Sequence, residues 1–148
     1  MKLNVGCGNI KMDGYVNIDI SETCKPDVVA DITKGLDYKD RTCSEVHAGC
    51  VIEQIADNDD FIFALNEIWR VLKPEGVFRG YVPSNHENVM FVDPMDKRFF
   101  RKETFDYFDG EKHHWKEFGK NYGFMPWRNI QITINEHGIL HFSMQPMK

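Results

Sequence analysis

The sequence predicts an α/β protein built on a single, mostly parallel sheet that ends in an antiparallel hairpin. Three observations carry this. Short apolar runs open the chain and are separated by connections rich in Gly, Pro, Asp, Lys and Ser. A strongly amphipathic segment, Asp59 to Lys73, stands directly before the apolar run Val77–Val82, which reads as a strand–helix–strand unit. The last two runs, Asn129–Asn135 and Ile139–Met144, alternate apolar and polar residues around Glu136-His137-Gly138, which reads as a hairpin.

In order along the chain, Leu3–Val5 and Tyr15–Ile20 are the first two expected strands, Asp27–Ile32 the third and Glu45–Val51 the fourth. The connections among these four are each about ten residues, too short for a crossover helix with its loops. Several crossover helices are therefore expected to be shortened or missing. In the one clear helix, Phe61, Leu65, Ile68 and Leu72 fall on one face, widened by Ile62 and Trp69. Asp57, Asn58, Asp59 and Asp60 offer caps at its start, and Arg70, Lys73 and Pro74 mark its end. Short helices are expected near Lys102–Phe108 and His113–Tyr122, inside an aromatic-rich stretch read as core and lid packing.

The 148 residues fit one domain, 1–148, and the 42% hydrophobic and 28% charged composition fits a soluble globular protein. No apolar run is long enough for a membrane span, and the opening core strand is read as leaving no signal peptide, so a cytoplasmic protein is expected. Cys7, Cys24, Cys43 and Cys50 lack CxxC spacing and read as reduced thiols; no metal site is expected. Residues 1–80 carry 9 Lys and Arg against 14 Asp and Glu, and residues 81–148 carry 9 against 9, which gives the net charge of −5. An acidic body disfavours non-specific binding to nucleic acid. The cluster Lys97, Arg98, Arg101 and Lys102 is read as a solvated helix start. His113 and His114 are adjacent and cannot face one site from one side of a helix.

The chemistry is concentrated at the start. Leu3-Asn4-Val5 runs into Gly6-Cys7-Gly8, and Asn17-Ile18-Asp19 then ends a strand on an acid. Glycines let backbone approach a ligand closely, and an acid at the next strand tip can accept hydrogen bonds from a ribose diol. A nicotinamide dinucleotide site is the rival reading. It requires a third glycine where this chain has Lys11, a helix opening there, and an acid farther along than Asp19.

From residue 3 to about 109 the chain resembles the class I S-adenosylmethionine-dependent methyltransferases, in the manner of small bacterial and phage members. The glycine loop, the Asp19 strand, Asp27-Val28-Val29-Ala30-Asp31 and, most specifically, the segment Ala64 to Gly76 carry the resemblance. It implies a Rossmann-like fold and S-adenosyl-L-methionine as cofactor. It places Asn4, Gly6, Cys7 and Gly8 at the cofactor's amino-acid end, Asp19 and Ile20 at the ribose, Asp31 and Ile32 at the adenine, and Cys50 near the methyl-donor space. Glu53, His86 and Asp93 are the candidate bases, for a small-molecule or sugar-type acceptor. The chain departs from the family at Asn4, where an acid is usual, and at Gln54 and Asp96, where small relatives carry histidine. These departures motivate an alternative reading, a non-catalytic methyltransferase-fold module that binds the cofactor or a protein partner. The Asn/Asp-Pro-Pro-Tyr/Trp motif of amino-methylating nucleic-acid enzymes does not follow the fourth strand.

Overall fold

A computed structural model describes residues 1–84 and 92–148. Seven strands form one sheet in the order β3-β2-β1-β4-β5-β7-β6. They are β1 (Lys2–Val5), β2 (Val16–Asp19), β3 (Val28–Val29), β4 (Cys43–Gly49), β5 (Leu72–Pro83), β6 (Trp127–Ile134) and β7 (Ile139–Pro146). Strands β1 to β5 are mutually parallel, and β7 runs antiparallel to both β5 and β6. The expected hairpin is therefore present, with β7 inserted next to β5.

Helix α1 (Asn58–Val71) joins β4 to β5. Asp57 caps it: its Oδ1 accepts the N–H groups of Asp59 and Asp60 at 2.8 and 3.0 Å. The helix stops two residues before the expected Lys73. Leu72 is already extended, with φ −68° and ψ 143°. Pro74 disfavours helical geometry at Lys73, and Leu72 pairs with Cys43 on β4, so the strand takes over early. Strand β3 is much shorter than the expected Asp27–Ile32. Asp27 is used as an acceptor for the Asn17 backbone, and Asp31 caps a 3-10 turn at Ile32–Lys34. Single 3-10 turns at Glu22–Cys24 and Ile32–Lys34 stand where crossover helices were expected to be reduced. Beyond β5, a 3-10 segment Lys102–Tyr107 and a π-helical turn Trp115–Gly119 leading into α2 (Lys120–Tyr122) occupy the two expected short-helix positions.

The core lies on one face of the sheet. Leu3, Val5, Ile18, Val46, Phe78, Val82 and Leu140 point to α1, whose Phe61, Leu65 and Ile68 are buried against them. Phe100, Phe105, Phe108 and Trp127 complete this layer, so most of the aromatic stretch is core; Phe99, Phe118 and Tyr122 remain exposed. On the other face the alternate positions are polar. Near β1 and β2 the connecting loop folds across them: Asn4 donates to the Ile10 carbonyl at 3.0 Å, and Asn17 accepts from Met12 N at 2.9 Å. Farther along the sheet, Arg79 and His141 are left exposed. Parallel sheets are normally covered on both faces. Here the loss of the early crossover helices uncovers one face, and the sequence answers with polar residues there.

Candidate active site

A crevice of about 700 Å³ opens at the C-terminal ends of β1, β2 and β4, where ligands bind in open α/β sheets. Its floor is the turn after β1. Gly6 adopts φ +62°, and a Cβ there would stand 2.2 Å from Val51 Cγ2. Glycine is thus required both by backbone geometry and by the close approach of Val51. Gly8 follows at φ +48° and donates its N–H to Asp19 Oδ2 at 2.7 Å. Ser21 N donates to Asp19 Oδ1 at 2.8 Å. Each oxygen of that carboxylate keeps a lone pair free for a further donor. Lys11 stiffens the loop from outside, donating to the carbonyls of Gly8 and Cys24 at 2.8 and 2.6 Å.

Gly6, Gly8, Asp19, Ile20, Asp31, Ile32 and Cys50 all line this crevice. Asp31 caps its turn as well: Oδ1 accepts from Thr33 N at 2.8 Å and from the Thr33 hydroxyl at 2.7 Å. Asn4 and Cys7 are buried under the loop and do not line it. Asn4 instead bridges three strands, donating to Asn17 Oδ1 at 3.0 Å and lying 3.1 Å from His47 Nδ1 through its own Oδ1.

The far wall, which no sequence motif marks, is where Asp57, Asp60, Gln54 and Met95 reach the crevice. Asp57 was legible only as a helix cap; its second role depends on α1 starting at the crevice edge. Arg98, expected at a solvated helix start, is instead a brace. It donates to the carbonyls of Ile55, Ala56 and Asp57 at 2.6, 3.2 and 2.9 Å, and its guanidinium lies 4.2 Å from the Phe61 ring centre. Asp19, Asp31, Asp57 and Asp60 surround the crevice, and among the described residues no Lys or Arg lines it. Its field therefore favours a cationic ligand.

Glu53 lies in the turn Ile52–Gln54, fully buried, and does not line the crevice. Its carbonyl accepts the N–H groups of Lys97 and Arg98, each at 2.9 Å. Among the described residues neither carboxyl oxygen is met by a nitrogen or oxygen donor, and the Cys50 thiol is the polar side chain beside it. Burial, reinforced by the Asp96 and Asp93 carboxylates, pushes this carboxyl up to about 7. Desolvation in the crevice wall and the neighbouring Glu53, Asp96 and Asp93 push the Cys50 thiol up to about 12, although its surface is exposed, which disfavours the thiolate at neutral pH. Asp93 is exposed, accepting from Met95 N at 2.9 Å and from Gln54 Nε2 at 3.4 Å. His86, the remaining candidate base, lies outside the described residues.

The fold is shared with solved S-adenosylmethionine-dependent methyltransferases. One from Archaeoglobus fulgidus superposes with a TM-score of 0.69 at 16% identity, covering 97% of this chain and 85% of that one. A methyltransferase from Haloferax volcanii, in complex with the Trm112 methyltransferase activator, gives 0.63 at 15% identity over 98% and 81%. The DhpI–SAM–HEP complex gives 0.66 at 14% identity over 98% and 78%. No protein-family model matches the chain, and no curated protein matches it by sequence. At these identities the likeness defines the fold, a Rossmann-like methyltransferase fold with a mostly parallel sheet and few helices. Among the described residues no helix is long and apolar enough to cross a membrane.

Proposed function

We propose that this chain is an S-adenosyl-L-methionine-dependent methyltransferase acting on a small-molecule or sugar-type acceptor. The observation that carries the reading is the Gly6–Gly8 turn tied to Asp19 on the edge of a carboxylate-lined crevice. The cradle at Gly6 has room for backbone approach but none for a side chain. The free lone pairs of Asp19 suit a diol, and the surrounding carboxylates suit a sulfonium and an ammonium. When bound, the cofactor supplies an activated sulfonium methyl group, which an acceptor atom takes by in-line displacement as a neutral thioether leaves.

The protein's own work is to bind, align and exclude water. Gly6 and Gly8 present backbone to the amino-acid end, Asp19 and Ile20 hold the ribose, and Asp31 and Ile32 border the adenine. Cys50 and Met95, which line the crevice beside them, would border the methyl-donor space, with Cys50 as an uncharged thiol. A hydroxyl acceptor must lose its proton, and Glu53, Asp93 and His86 are the proposed recipients. Asp93 is exposed beside Gln54, which lines the crevice, whereas Glu53 lies buried behind the crevice surface and does not itself reach an acceptor held there.

A second reading is a cofactor-binding or partner-binding module without catalysis. It is favoured by the position of Glu53 behind the crevice surface. The Haloferax neighbour's activator shows that one protein of this fold works with a partner. Calorimetric titration with S-adenosylmethionine and S-adenosylhomocysteine, followed by transfer of a labelled methyl group to a panel of sugars and small alcohols, decides between them. Saturable binding with transfer supports the enzyme. Binding without transfer to any acceptor supports the module, and absence of heat with either nucleoside removes the cofactor from both readings.

A further inference from the structure

The uncovered face of the sheet carries a second depression, of about 280 Å³, centred on β5 and β7. Strand register arranges its side chains in two rows. His47, Arg79, Ser143 and Gln131 align across β4, β5, β7 and β6, and Tyr81, His141 and Thr133 align one pleat farther on. Tyr81 leans over β4 into the space a side chain at Gly49 would fill; a Cβ there would come within 2.5 Å of its ring. Tyr81 thereby walls the depression between His47 and His141, with ring centres 5.9 and 5.6 Å away.

Among the described residues Arg79 is the only Lys or Arg lining the depression, and no carboxylate lines it, although the chain carries 23 Asp and Glu. Its Nε is held by Glu45 Oε1 at 3.0 Å. Glu45 in turn accepts the Tyr15 hydroxyl at 2.6 Å and lies 3.5 Å from Lys2 Nζ, so the carboxylate is already balanced. The Glu45 contact engages Nε rather than the two terminal guanidinium nitrogens. They form an oriented fork in the row of Ser143 and Gln131, which line the same depression.

His47 adds the opposite polarity. Asn4 Nδ2 donates to the Ile10 carbonyl, which fixes the amide so that Oδ1 faces His47 Nδ1 at 3.1 Å. The His47 Nδ1 must therefore carry the proton, leaving Nε2 as an acceptor. Burial lowers the tendency of this imidazole to charge, consistent with the neutral tautomer.

We infer that this face binds a phosphate monoester of a polyhydroxy compound. The phosphoryl group lies on Arg79, Ser143 and Gln131, and a ligand hydroxyl donates to His47 Nε2. The inference stands apart from the crevice and does not require methyl transfer. It is tested on the full chain by calorimetry and by amide NMR shifts, with glucose 6-phosphate, inorganic phosphate, glucose and chloride at constant ionic strength. Saturable shifts at Gly80, His141 and Ser143 with the ester, weaker binding of inorganic phosphate and no binding of glucose are expected. Arg79→Gln should lower ester affinity by about tenfold or more, as loss of a charge-assisted fork does, with S-adenosylmethionine binding unchanged. Should that variant fold poorly, Gln131→Ala with Ser143→Ala, at surface strand positions, should give a several-fold loss. Unsaturable shifts shared with chloride, equal affinity for ester and inorganic phosphate, or full affinity in a folded Arg79→Gln protein would each overturn the assignment.

Discussion

The backbone N–H of Gly8 donates to the Asp19 carboxylate at 2.7 Å, so the turn after β1 and the tip of β2 are one unit. The crevice inherits its shape from that bond. Asp19→Ala removes the acceptor for both Gly8 N and Ser21 N and the free lone pairs facing the crevice. Two lost hydrogen bonds at a half-exposed site cost about 1–3 kcal/mol. The expected outcome is a lower urea midpoint together with loss of S-adenosylmethionine heat. Asp19→Asn restores part of the stability and little of the binding, because one oxygen is exchanged for a donor.

Gly6 faces Val51 across a gap that holds no Cβ. Gly6→Ala should destabilise by about 2 kcal/mol or more, the sum of left-handed backbone strain and a steric clash. Adding Val51→Ala removes the clash and leaves the strain, so the double variant should recover part of the loss. Equilibrium unfolding of the four proteins measures this coupling; strict additivity would contradict the contact.

What could be read beforehand was what local chemistry fixes. The spacing of Phe61, Leu65 and Ile68 announces α1, Asp57 announces its cap, and Gly6, Gly8 and Asp19 announce the crevice. The uncovered face is written in the sequence too, in the alternation Glu45-Val46-His47-Ala48 and Arg79-Gly80-Tyr81-Val82, although parallel sheets are normally covered on both sides. Long-range relations were not legible. Asn4 looks like a weakened ligand residue until His47, 43 residues away, is found against it. Glu53 looks like a solvated acid until Lys97 and Arg98 fold onto its carbonyl.

The buried Glu53 makes stability depend on pH in an unusual direction. Its folded-state value, about 7, lies above the ordinary 4.5, so between these limits the folded protein holds a proton that the unfolded chain has released. Stability from this group therefore falls as pH rises from about 4.5 to 7 and is level above that, by up to about 3 kcal/mol. Glu53→Gln should flatten the profile and raise the melting temperature at pH 8 relative to the parent chain. A parent profile that instead rises through this window, unchanged in the variant, would refute the assignment of Glu53 as a buried carboxyl with no cationic partner among the described residues. The same variant lowers the Cys50 thiol toward its ordinary value, since Glu53 is among the groups that raise it. Faster iodoacetamide labelling of Cys50 at pH 8, followed by mass spectrometry, reads this directly.

Arg98 joins the segment after β5 to the crevice wall through carbonyls that precede α1. The geometry needs a planar fork: Nε reaches Ile55 and Nη2 reaches Ala56, Asp57 and the Asn58 side chain, while the plane rests on Phe61. Arg98→Lys keeps the charge but offers a single point donor, so it cannot span these acceptors. Arg98→Ala should destabilise by about 2–3 kcal/mol through lost charge-assisted hydrogen bonds and lost cover of the Phe61 ring. Lysine should recover less than half of that loss. Because Ala56 and Asp57 line the crevice, both variants should also weaken S-adenosylmethionine binding, although Arg98 itself does not line it. Unfolding midpoints and calorimetric affinities measured on the same preparations separate the two effects. Lysine behaving like the parent residue in both measurements would show that charge alone, not the fork, holds the wall in place.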